Sequence, residues 1–418
     1  MINLSKLIIT GGTCLKGKIN VSGSKNAVLP IIAATIVTNG NNTIKNVPLL
    51  TDVDEMISLM KCFGCIVSYK NNVIDITCDN IKNLICPYEI VSKFRASFLV
   101  AGPLLAKYGY VRISMPGGCA IGTRPVDLHI KGLTLMGADV SYGQDYIELK
   151  SKKLQGAKIY LDFPSVGATE NLMIAATLAD GITEITNAAT EPEVADLANF
   201  LIKCGAYITG VGTDRIVVVG QKELVGCSHS VIPDRIEAGT YMIAAACTKG
   251  NVDIYNVPME HINSIVAKLR EIGVNVIEKK DCINVSSNGC LYSTEIKTLP
   301  YPGFPTDMQA IFSAMMCYAQ GTSLVTETIF ENRFMHLSEL MRMHANIKID
   351  GRNAVITGKS RLDGAIVRAT DLRAGAALAV AALAADGVTE ISDSQLIYRG
   401  YENFCEKLTD LGAIVRKM

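Results

Sequence analysis

The sequence predicts an α/β protein built from six repeated units. Each unit has the same parts in the same order: a small-residue apolar helix, a glycine, a short β-branched strand, a second amphipathic helix and a β-hairpin entered through a glycine or another small residue. Helices and strands alternate in every unit, which is typical of the α/β class. Each unit is about 50 residues long, and recurrence at such a period indicates a repeat architecture. The alternative is a chance alternation of helices and strands, and the fixed order of the parts argues against it.

The first three units begin at Lys25, Lys93 and Val166. Apolar periodicity, β-branched runs and glycine punctuation define their elements. The predicted elements are helices 26–38 and 52–63 with strands 43–45, 66–69 and 73–77 in the first unit, strands 110–114, 137–140 and 146–149 in the second, and strand 183–185, helix 193–203 and hairpin 205–219 in the third.

The last three units begin at Asp234, Thr306 and Asp371, and they end near Val285, near Thr357 and at the C-terminus. Residues 1–21 precede the repeats and form a strand-like lead-in. A chain of 418 residues exceeds one ordinary hydrophobic core. The six units therefore divide most simply into two domains of three.

Composition and charge exclude several classes of function. The formal net charge is zero, so the sequence does not favour general binding to nucleic acid or to a membrane surface. It has no apolar run of about 18 residues and no signal-like apolar core near its start, so we expect a cytoplasmic protein. The thirteen cysteines should then be mostly free thiols. Cys62 and Cys65 lack a second ligand pair, and the five histidines lack metal-ligand spacing, so no metal site is expected.

The stretch 116–129 stands apart from the rest of the chain. Two glycines precede Cys119, and Arg124, Asp127 and His129 follow it closely. A thiol beside a fixed cation tends towards the reactive thiolate. A glycine-rich turn followed by an arginine is also a plausible anion cradle. The alternative is that Cys119 is an ordinary turn residue, and the stretch alone leaves both interpretations open.

Polar residues recur at two positions of the repeat. Helix N-termini carry Lys25, Arg95, Arg235 and Arg373, where a cation is unfavourable unless an anion binds there. Solvated charges or ion pairs are the alternative. The loop after the first strand holds Cys119 in the second unit, Arg333 in the fifth and Arg399 in the sixth. With Asp307 as a candidate base, this set suits phosphorylated substrates. The phosphate-binding loop of ATPases and the glycine fingerprint for dinucleotides are both missing from the sequence.

The chain resembles the enolpyruvyl transferase family, and within it the UDP-N-acetylglucosamine 1-carboxyvinyltransferases. The resemblance implies two similar domains, each an inside-out α/β barrel of three repeats, with the active site in the cleft between them. It places the first domain at 22–232 and the second at 1–21 plus 233–418. It covers essentially the whole chain and rests on Gly23-Ser24-Lys25-Asn26-Ala27, Pro116-Gly117-Gly118-Cys119, Arg124-Pro125-Val126-Asp127-Leu128-His129, Ser165-Val166-Gly167-Ala168-Thr169, Pro233-Asp234-Arg235-Ile236-Glu237, Thr306-Asp307-Met308-Gln309, Glu331-Asn332-Arg333-Phe334, Asp371-Leu372-Arg373 and Arg399-Gly400-Tyr401-Glu402.

The resemblance implies a reaction and a role for each site residue. Cys119 would protonate the methylene carbon of phosphoenolpyruvate and could form a covalent adduct with it, and in the family this cysteine is alkylated by fosfomycin. Asp307 would accept the proton of the 3-hydroxyl of UDP-N-acetylglucosamine. Phosphate would leave, in the first committed step of peptidoglycan synthesis, with no metal or organic cofactor. Lys25, Arg124 and Arg399 would hold phosphoenolpyruvate, Arg333 and Arg373 would complete the cationic wall, Asn26 would contact the substrates, and the UDP-sugar would be bound by Arg95, Arg124, Pro125, Val126, Asp127, Leu128, Ser165, Val166, Gly167, Asp307 and Ile329.

Two departures from the family pattern accompany this resemblance. Some members carry a lysine where this chain has Phe163, and some carry His and Asp where it has Leu396 and Tyr398. The nearest rival function is that of 3-phosphoshikimate 1-carboxyvinyltransferase, which shares the fold and phosphoenolpyruvate, and the cysteine loop argues against it. A rival of another class is a non-catalytic regulator that binds a sugar nucleotide. The presence of Cys119, Lys25, Asp307 and Arg399 together argues against a regulator.

Overall fold

A computed structural model describes residues 5–114, 126–359 and 361–418 of the chain. Within these ranges the helices are α1 Lys25–Ala34, α2 Thr51–Phe63, α3 Tyr88–Val91, α4 Ala101–Tyr108, α5 Asp127–Leu135, α6 Val166–Ala176, α7 Pro192–Lys203, α8 Arg235–Cys247, α9 Asn263–Glu271, α10 Thr306–Met316, α11 Met335–Arg342, α12 Leu372–Ala384 and α13 Phe404–Asp410. Short 3₁₀ helices span Thr35–Val37, Arg95–Val100, Met259–His261 and Ser394–Arg399.

The strands within the same ranges are short, and each has five residues or fewer. They are β1 Lys6–Thr10, β2 Lys16–Asn20, β3 Thr38–Asn39, β4 Asn41–Lys45, β5 Ile66–Lys70, β6 Val73–Thr77, β7 Ile85–Cys86, β8 Tyr110–Ser114, β9 Asp139–Tyr142, β10 Tyr146–Lys150, β11 Lys158–Tyr160, β12 Ile182–Thr186, β13 Tyr207–Thr209, β14 Arg215–Val219, β15 Leu224–Val225, β16 Ser228–Ser230, β17 Asn251–Tyr255, β18 Asn275–Glu278, β19 Cys282–Ser286, β20 Glu295–Lys297, β21 Thr322–Thr326, β22 Asn346–Asp350, β23 Asn353–Thr357, β24 Ile366–Arg368, β25 Val388–Ser392 and β26 Ile414–Lys417.

The α/β class and the sixfold repeat are confirmed, because the described residues form six four-stranded sheets. In the third repeat the sheet order is β11-β12-β14-β13. Strand β11 pairs in parallel with β12, and the remaining pairs are antiparallel. A parallel pair requires a crossover, which α6 provides between β11 and β12. Strand β11 and the other short parallel strands β7, β16, β20 and β24 are the part of the repeat that the sequence did not predict, since two or three residues are too short to show alternation.

The compact unit formed by residues 23–114 and 126–232 contains three of these sheets, β16-β4-β6-β5, β7-β8-β10-β9 and β11-β12-β14-β13. Strand β16 comes from the end of this segment, yet it pairs with β4 of the first repeat. Helices α1, α4 and α6 are buried around most of their circumference. A helix that is apolar all round belongs inside a core, so the helices lie within this unit and the sheets lie outside them.

The second compact unit contains residues 5–22 and 233–418, and its sheets are β18-β19-β17-β2, β20-β21-β23-β22 and β24-β25-β1-β26. Strand β1 lies between β25 and β26 and is antiparallel to both, so the N-terminal lead-in completes the last sheet. Gly11 follows β1 where the backbone meets α12, and a Cβ there would lie 2.1 Å from the Ala385 carbonyl oxygen. Helices α8, α10 and α12 pack against one another as the buried centre of this unit.

The first predicted helix ends earlier than its apolar pattern suggested. Helix α1 stops at Ala34, and the 3₁₀ turn Thr35–Val37 follows it. The run of β-branched residues from Thr35 is poorly suited to an α-helix. The Thr35 hydroxyl donates to the Ile32 carbonyl at 2.7 Å, and the Thr38 hydroxyl donates to the Thr35 carbonyl at 2.9 Å. These side-chain bonds compete with the helical ladder and end it.

None of the helices in the described residues is long and apolar enough to cross a membrane. In the same residues, no group of three or more His, Cys, Asp or Glu side chains is arranged to hold a metal ion. The twelve cysteines within the described ranges all carry free thiols, which agrees with the expectation from the sequence.

Candidate active site

The predicted site residues fall into both compact units, and the structure describes most of them. Cys119, Arg124 and Pro125 lie outside the described residues. Asp307, Ile329, Arg333, Arg373 and Arg399 belong to the unit of residues 5–22 and 233–418. The other unit carries Lys25, Asn26, Arg95, Val126, Asp127, Leu128, Ser165, Val166 and Gly167.

Asp307 forms an ion-pair cluster with two predicted arginines. It lies in the first turn of α10, where helix geometry directs its side chain towards the helix N-terminus. Arg333 Nη2 donates to Asp307 Oδ1 at 2.6 Å, and Arg373 donates to Oδ2 from Nη2 at 2.9 Å and from Nε at 3.3 Å. The arginine side chains are 5% and 3% exposed, whereas that of Asp307 is 25% exposed. The most accessible group of the cluster is therefore the candidate base.

The two arginines determine the charge of Asp307. Burial by itself would raise the pKa of this carboxyl, but Arg373 and Arg333 outweigh burial and hold the pKa well below its usual range. Asp307 is therefore ionised at neutral pH, as a proton acceptor must be. An anionic substrate that takes contacts from the arginines would raise the basicity of Asp307 at the moment when a base is needed.

Arg373 is held so that part of its guanidinium remains available. Arg373 is the second residue of α12. The side chain of Asp371 caps this helix, because it accepts from the N–H groups of Arg373 and Ala374 at 2.8 and 3.0 Å. The guanidinium carbon lies 5.3 Å from the ring centroid of Tyr401. Among the described residues, Arg373 Nη1 is buried and has no hydrogen-bond acceptor. A buried guanidinium nitrogen of this kind is suited to a phosphate or carboxylate oxygen.

Arg399 and Ile329 lie near this cluster. Arg399 ends the 3₁₀ helix Ser394–Arg399, and a Cβ placed on the next residue, Gly400, would lie 3.6 Å from Arg373 Nη1. Ile329 follows strand β21, and its backbone N–H donates to Glu327 at 2.9 Å. The structure thus brings the predicted residues of this unit towards one end of α10 and α12.

In the other unit, the N-termini of α5 and α6 lie side by side. Ser165 caps α6 through its hydroxyl, which accepts from the Ala168 N–H at 3.4 Å. Val166 and Gly167 are the first residues of α6, and Asp127 is the first residue of α5. The N–H groups in the first turn of a helix have no acceptor within the helix, so this end of α6 is suited to an anion such as a diphosphate.

His129 joins these two helices and was not among the predicted site residues. A Cβ added to Gly167 would lie 3.4 Å from His129 Cε1, so the imidazole lies directly beside the start of α6. Asn171 Oδ1 accepts from the Gly102 N–H at 2.7 Å, which fixes the amide, and its Nδ2 then contacts His129 Nδ1 at 2.9 Å. His129 therefore carries its proton on Nε2. The signal in the sequence was its place in the stretch 116–129.

Burial and the charge of Arg95 together lower the pKa of His129 to about 3. The imidazole is therefore neutral at neutral pH, and it can donate a hydrogen bond without carrying charge. Its ring also packs edge-on against Phe98, with 5.1 Å between the ring centroids. Arg95 begins the 3₁₀ helix that contains Phe98, so the structure brings together the segments 95–98, 127–129 and 165–167.

Lys25 starts α1 and pairs with a buried acid. Its Nζ lies 2.7 Å from Asp52 Oδ2 in the first turn of α2, and the two side chains are 10% and 6% exposed. Asn26 is the next residue of α1, and it is more accessible than Lys25. The ion pair with Asp52 fixes the position of the Lys25 ammonium group, which is therefore not freely solvated.

The chain matches a protein-family model over residues 9–408, and that model is described as EPSP synthase (3-phosphoshikimate 1-carboxyvinyltransferase). It is 57% identical over 414 residues to UDP-N-acetylglucosamine 1-carboxyvinyltransferase 1 of Caldanaerobacter subterraneus subsp. tengcongensis, covering 99% of this chain and 100% of that protein. It is 52% identical over 417 residues to UDP-N-acetylglucosamine 1-carboxyvinyltransferase 2 of Carboxydothermus hydrogenoformans, again covering 99% and 100%.

A solved structure also resembles the chain throughout. The crystal structure of an enolpyruvyl transferase from Streptomyces tendae superposes with a TM-score of 0.91, at 22% identity and with 99% of both chains covered. At that identity the likeness establishes the fold alone, which is the two-domain inside-out α/β barrel that the family resemblance implied. Because the family model and the full-length relatives agree, the chain belongs to the enolpyruvyl transferase family typified by EPSP synthase, and within it to the UDP-N-acetylglucosamine 1-carboxyvinyltransferases.

Proposed function

We propose that the protein transfers the enolpyruvyl group of phosphoenolpyruvate to the 3-hydroxyl of UDP-N-acetylglucosamine and releases phosphate. The observation that carries this proposal is the 57% identity, over 99% of this chain, to UDP-N-acetylglucosamine 1-carboxyvinyltransferase 1 of Caldanaerobacter subterraneus subsp. tengcongensis. The cluster of Asp307, Arg333 and Arg373 supports it, because a base lies beside two buried guanidinium groups. The reaction would supply peptidoglycan synthesis, and the free thiols suit the reducing cytoplasm expected from the sequence.

Each half of the reaction has a group suited to it. Protonation of the methylene carbon, assigned to Cys119, leaves a cationic centre at C2 of phosphoenolpyruvate. The sugar hydroxyl attacks that centre and passes its proton to Asp307. Elimination from the tetrahedral product then removes a proton from the C3 methyl group, re-forms the C2–C3 double bond and breaks the C–O bond to phosphate, while Lys25, Arg124, Arg333, Arg373 and Arg399 offset the charge. No electrons are gained or lost overall, so the balance requires no redox partner.

The segments at the N-termini of α5 and α6 are proposed to hold the UDP part of the sugar nucleotide. Ser165, Val166 and Gly167 offer backbone N–H groups to the diphosphate. Arg95 and the segment 124–128 would complete this subsite. The compact units are in turn proposed to be the two domains expected at 22–232 and at 1–21 plus 233–418, and their boundaries fall between residues 22 and 23 and between residues 232 and 233.

The test of the function is phosphate release from phosphoenolpyruvate by the intact protein. We expect release only when UDP-N-acetylglucosamine is also present. Shikimate 3-phosphate should not replace the sugar nucleotide, and release with it instead would favour the rival acceptor of the same fold. A folded protein that binds the sugar nucleotide but releases no phosphate under any condition would identify a non-catalytic binding protein.

A second prediction concerns the thiol of Cys119. Incubation with fosfomycin should abolish turnover and add one inhibitor mass to the peptide that contains Cys119, because an accessible thiolate opens an epoxide. Mass spectrometry of the digested protein locates the adduct. Buried Cys247 serves as the internal control, since burial raises the pKa of its thiol and keeps it unreactive. Full inactivation with the adduct on another cysteine would remove Cys119 from the proposed mechanism.

A further inference from the structure

A buried carboxylate outside the predicted set connects two of the predicted groups. Glu327 follows strand β21 and is 1% exposed. Its Oε1 accepts from the Thr298 hydroxyl at 2.9 Å and from the backbone N–H groups of Ile329 at 2.9 Å and Phe330 at 3.2 Å. Its Oε2 accepts from the Thr306 hydroxyl at 2.9 Å. Four donors therefore converge on one side chain, which fixes the carboxylate in a single orientation.

Thr306 in turn connects Glu327, through Arg333, to the candidate base Asp307. Because the Thr306 hydroxyl gives its proton to Glu327, its oxygen is free to accept, and Arg333 Nη1 donates to it at 2.7 Å. The other terminal nitrogen of Arg333 donates to Asp307 Oδ1 at 2.6 Å. Glu327, Thr306, Arg333 and Asp307 thus form one directional chain of hydrogen bonds, with every donor and acceptor defined.

A simpler role for Glu327 would be to close its own turn. The bonds from Ile329 and Phe330 do close a local turn, in the way that side-chain carboxylates often do. The bond to Thr306 is not explained by that role, because Thr306 begins α10 and lies 21 positions away in the sequence. A buried carboxylate is costly unless its oxygens are fully used, and here each oxygen serves a different segment.

We propose that Glu327 is a positioning residue for the reaction, and this inference depends on the proposed function. Through Oε2 and Thr306 it holds Arg333, and therefore Asp307, in the orientation for proton transfer. Through Oε1 it holds the backbone at Ile329, where the sugar nucleotide is expected. The side chain of Glu327 would thus set the distance between the base, Asp307, and the backbone at Ile329 that is expected to bind the sugar nucleotide. Catalysis depends steeply on such placement, since an error of about 1 Å can reduce the rate about 100-fold.

The test uses Thr306→Val and Thr306→Ser with both substrates. Valine has the shape of threonine but removes the hydroxyl, so it leaves Glu327 Oε2 and Arg333 Nη1 without their shared partner. We expect kcat to fall about 10- to 100-fold in the Thr306→Val variant, with KM for UDP-N-acetylglucosamine nearly unchanged. Serine restores the hydroxyl, so Thr306→Ser should recover most of kcat. The matched control is Thr389→Val, a buried threonine whose hydroxyl has no partner among the described residues, and its kcat should not change.

A double-mutant cycle with Glu327→Gln separates positioning from local turn closure. In Glu327→Gln the amide oxygen can still serve the turn, and the NH₂ group faces Thr306, which then loses its acceptor. If Glu327 acts through Thr306, the double variant should be no slower than the slower single variant. Independent, multiplicative losses of kcat, or equal kcat in Thr306→Val and Thr306→Ser, would overturn the proposal. Phosphate release by the unsubstituted protein tests the proposed function separately, since it does not depend on either substitution.

Discussion

Replacement of Asp307 by asparagine should reduce kcat by about three orders of magnitude. The amide cannot accept a proton at neutral pH, and loss of a general base typically costs about 10²- to 10⁴-fold. The substitution also leaves Arg333 and Arg373 close together without the carboxylate that both contact at 2.6 to 2.9 Å. Two buried cations without their shared anion are unfavourable, so the melting temperature should fall as well.

The measurement is steady-state phosphate release at saturating substrates, with calorimetric binding of UDP-N-acetylglucosamine to show that the site is still formed. Asp253→Asn is the matched control, because Asp253 pairs with Lys279 at 2.7 Å on the strand β17. That exchange removes a carboxylate from an ordinary ion pair and should leave kcat unchanged. An Asp307→Asn variant that retains its fold and turns over within about tenfold of the parent would exclude Asp307 as the base.

The repeat architecture was predictable because the same order of helices, strands and glycines recurs in each unit of the sequence. Glycines at the ends of helices, β-branched strands and apolar helices recur six times, so errors in one unit are corrected by the others. Strands such as Val73–Thr77 and Tyr110–Ser114 begin and end where the pattern indicated. The short parallel strands were not predicted. Lys158–Tyr160, for example, is extended because it pairs with strand β12, which lies more than 20 residues further along the chain, and not because of its own three residues.

The sequence predicted those site residues whose charge conflicts with their local structure. It did not predict the polar residues whose hydrogen-bond partners lie far away along the chain. Arg373 at a helix N-terminus conflicts with the helix dipole, and this conflict is visible in the sequence. Glu327 and Asn171 conflict with nothing in the sequence, because polar residues after a strand or in a helix are ordinary. Their significance comes from burial and from partners far along the chain, which only the fold supplies. Hydrogen-bond networks of this kind therefore had to be seen in three dimensions.

Replacement of Arg373 by lysine should lower kcat/KM for phosphoenolpyruvate about 100-fold while preserving the positive charge. Arginine presents a planar fork that contacts Asp307 from Nη2 and Nε and still leaves Nη1 for an anion. A lysine ammonium carries its three donors on a single atom and cannot reproduce the planar fork that serves Asp307 and an anion together. Removing one donor to a developing negative charge commonly costs about 10²- to 10³-fold. The matched control is Arg361→Lys, since Arg361 forms an exposed ion pair with Asp386 that should contribute little.

The same substitution gives a pH-dependent loss of stability with a defined sign. Arg373 and Arg333 together depress the pKa of Asp307, so their pairing stabilises the fold above the unfolded-state pKa of this carboxyl and is lost as the pH falls through the folded-state value. Lysine pairs less well, which moves the folded-state pKa back towards its ordinary value. The parent should therefore exceed Arg373→Lys in melting temperature at neutral pH, and the difference should shrink as the pH is lowered below about 4. A difference that is constant from neutral to acidic pH would assign the destabilisation to lost packing on Tyr401 instead of lost pairing with Asp307.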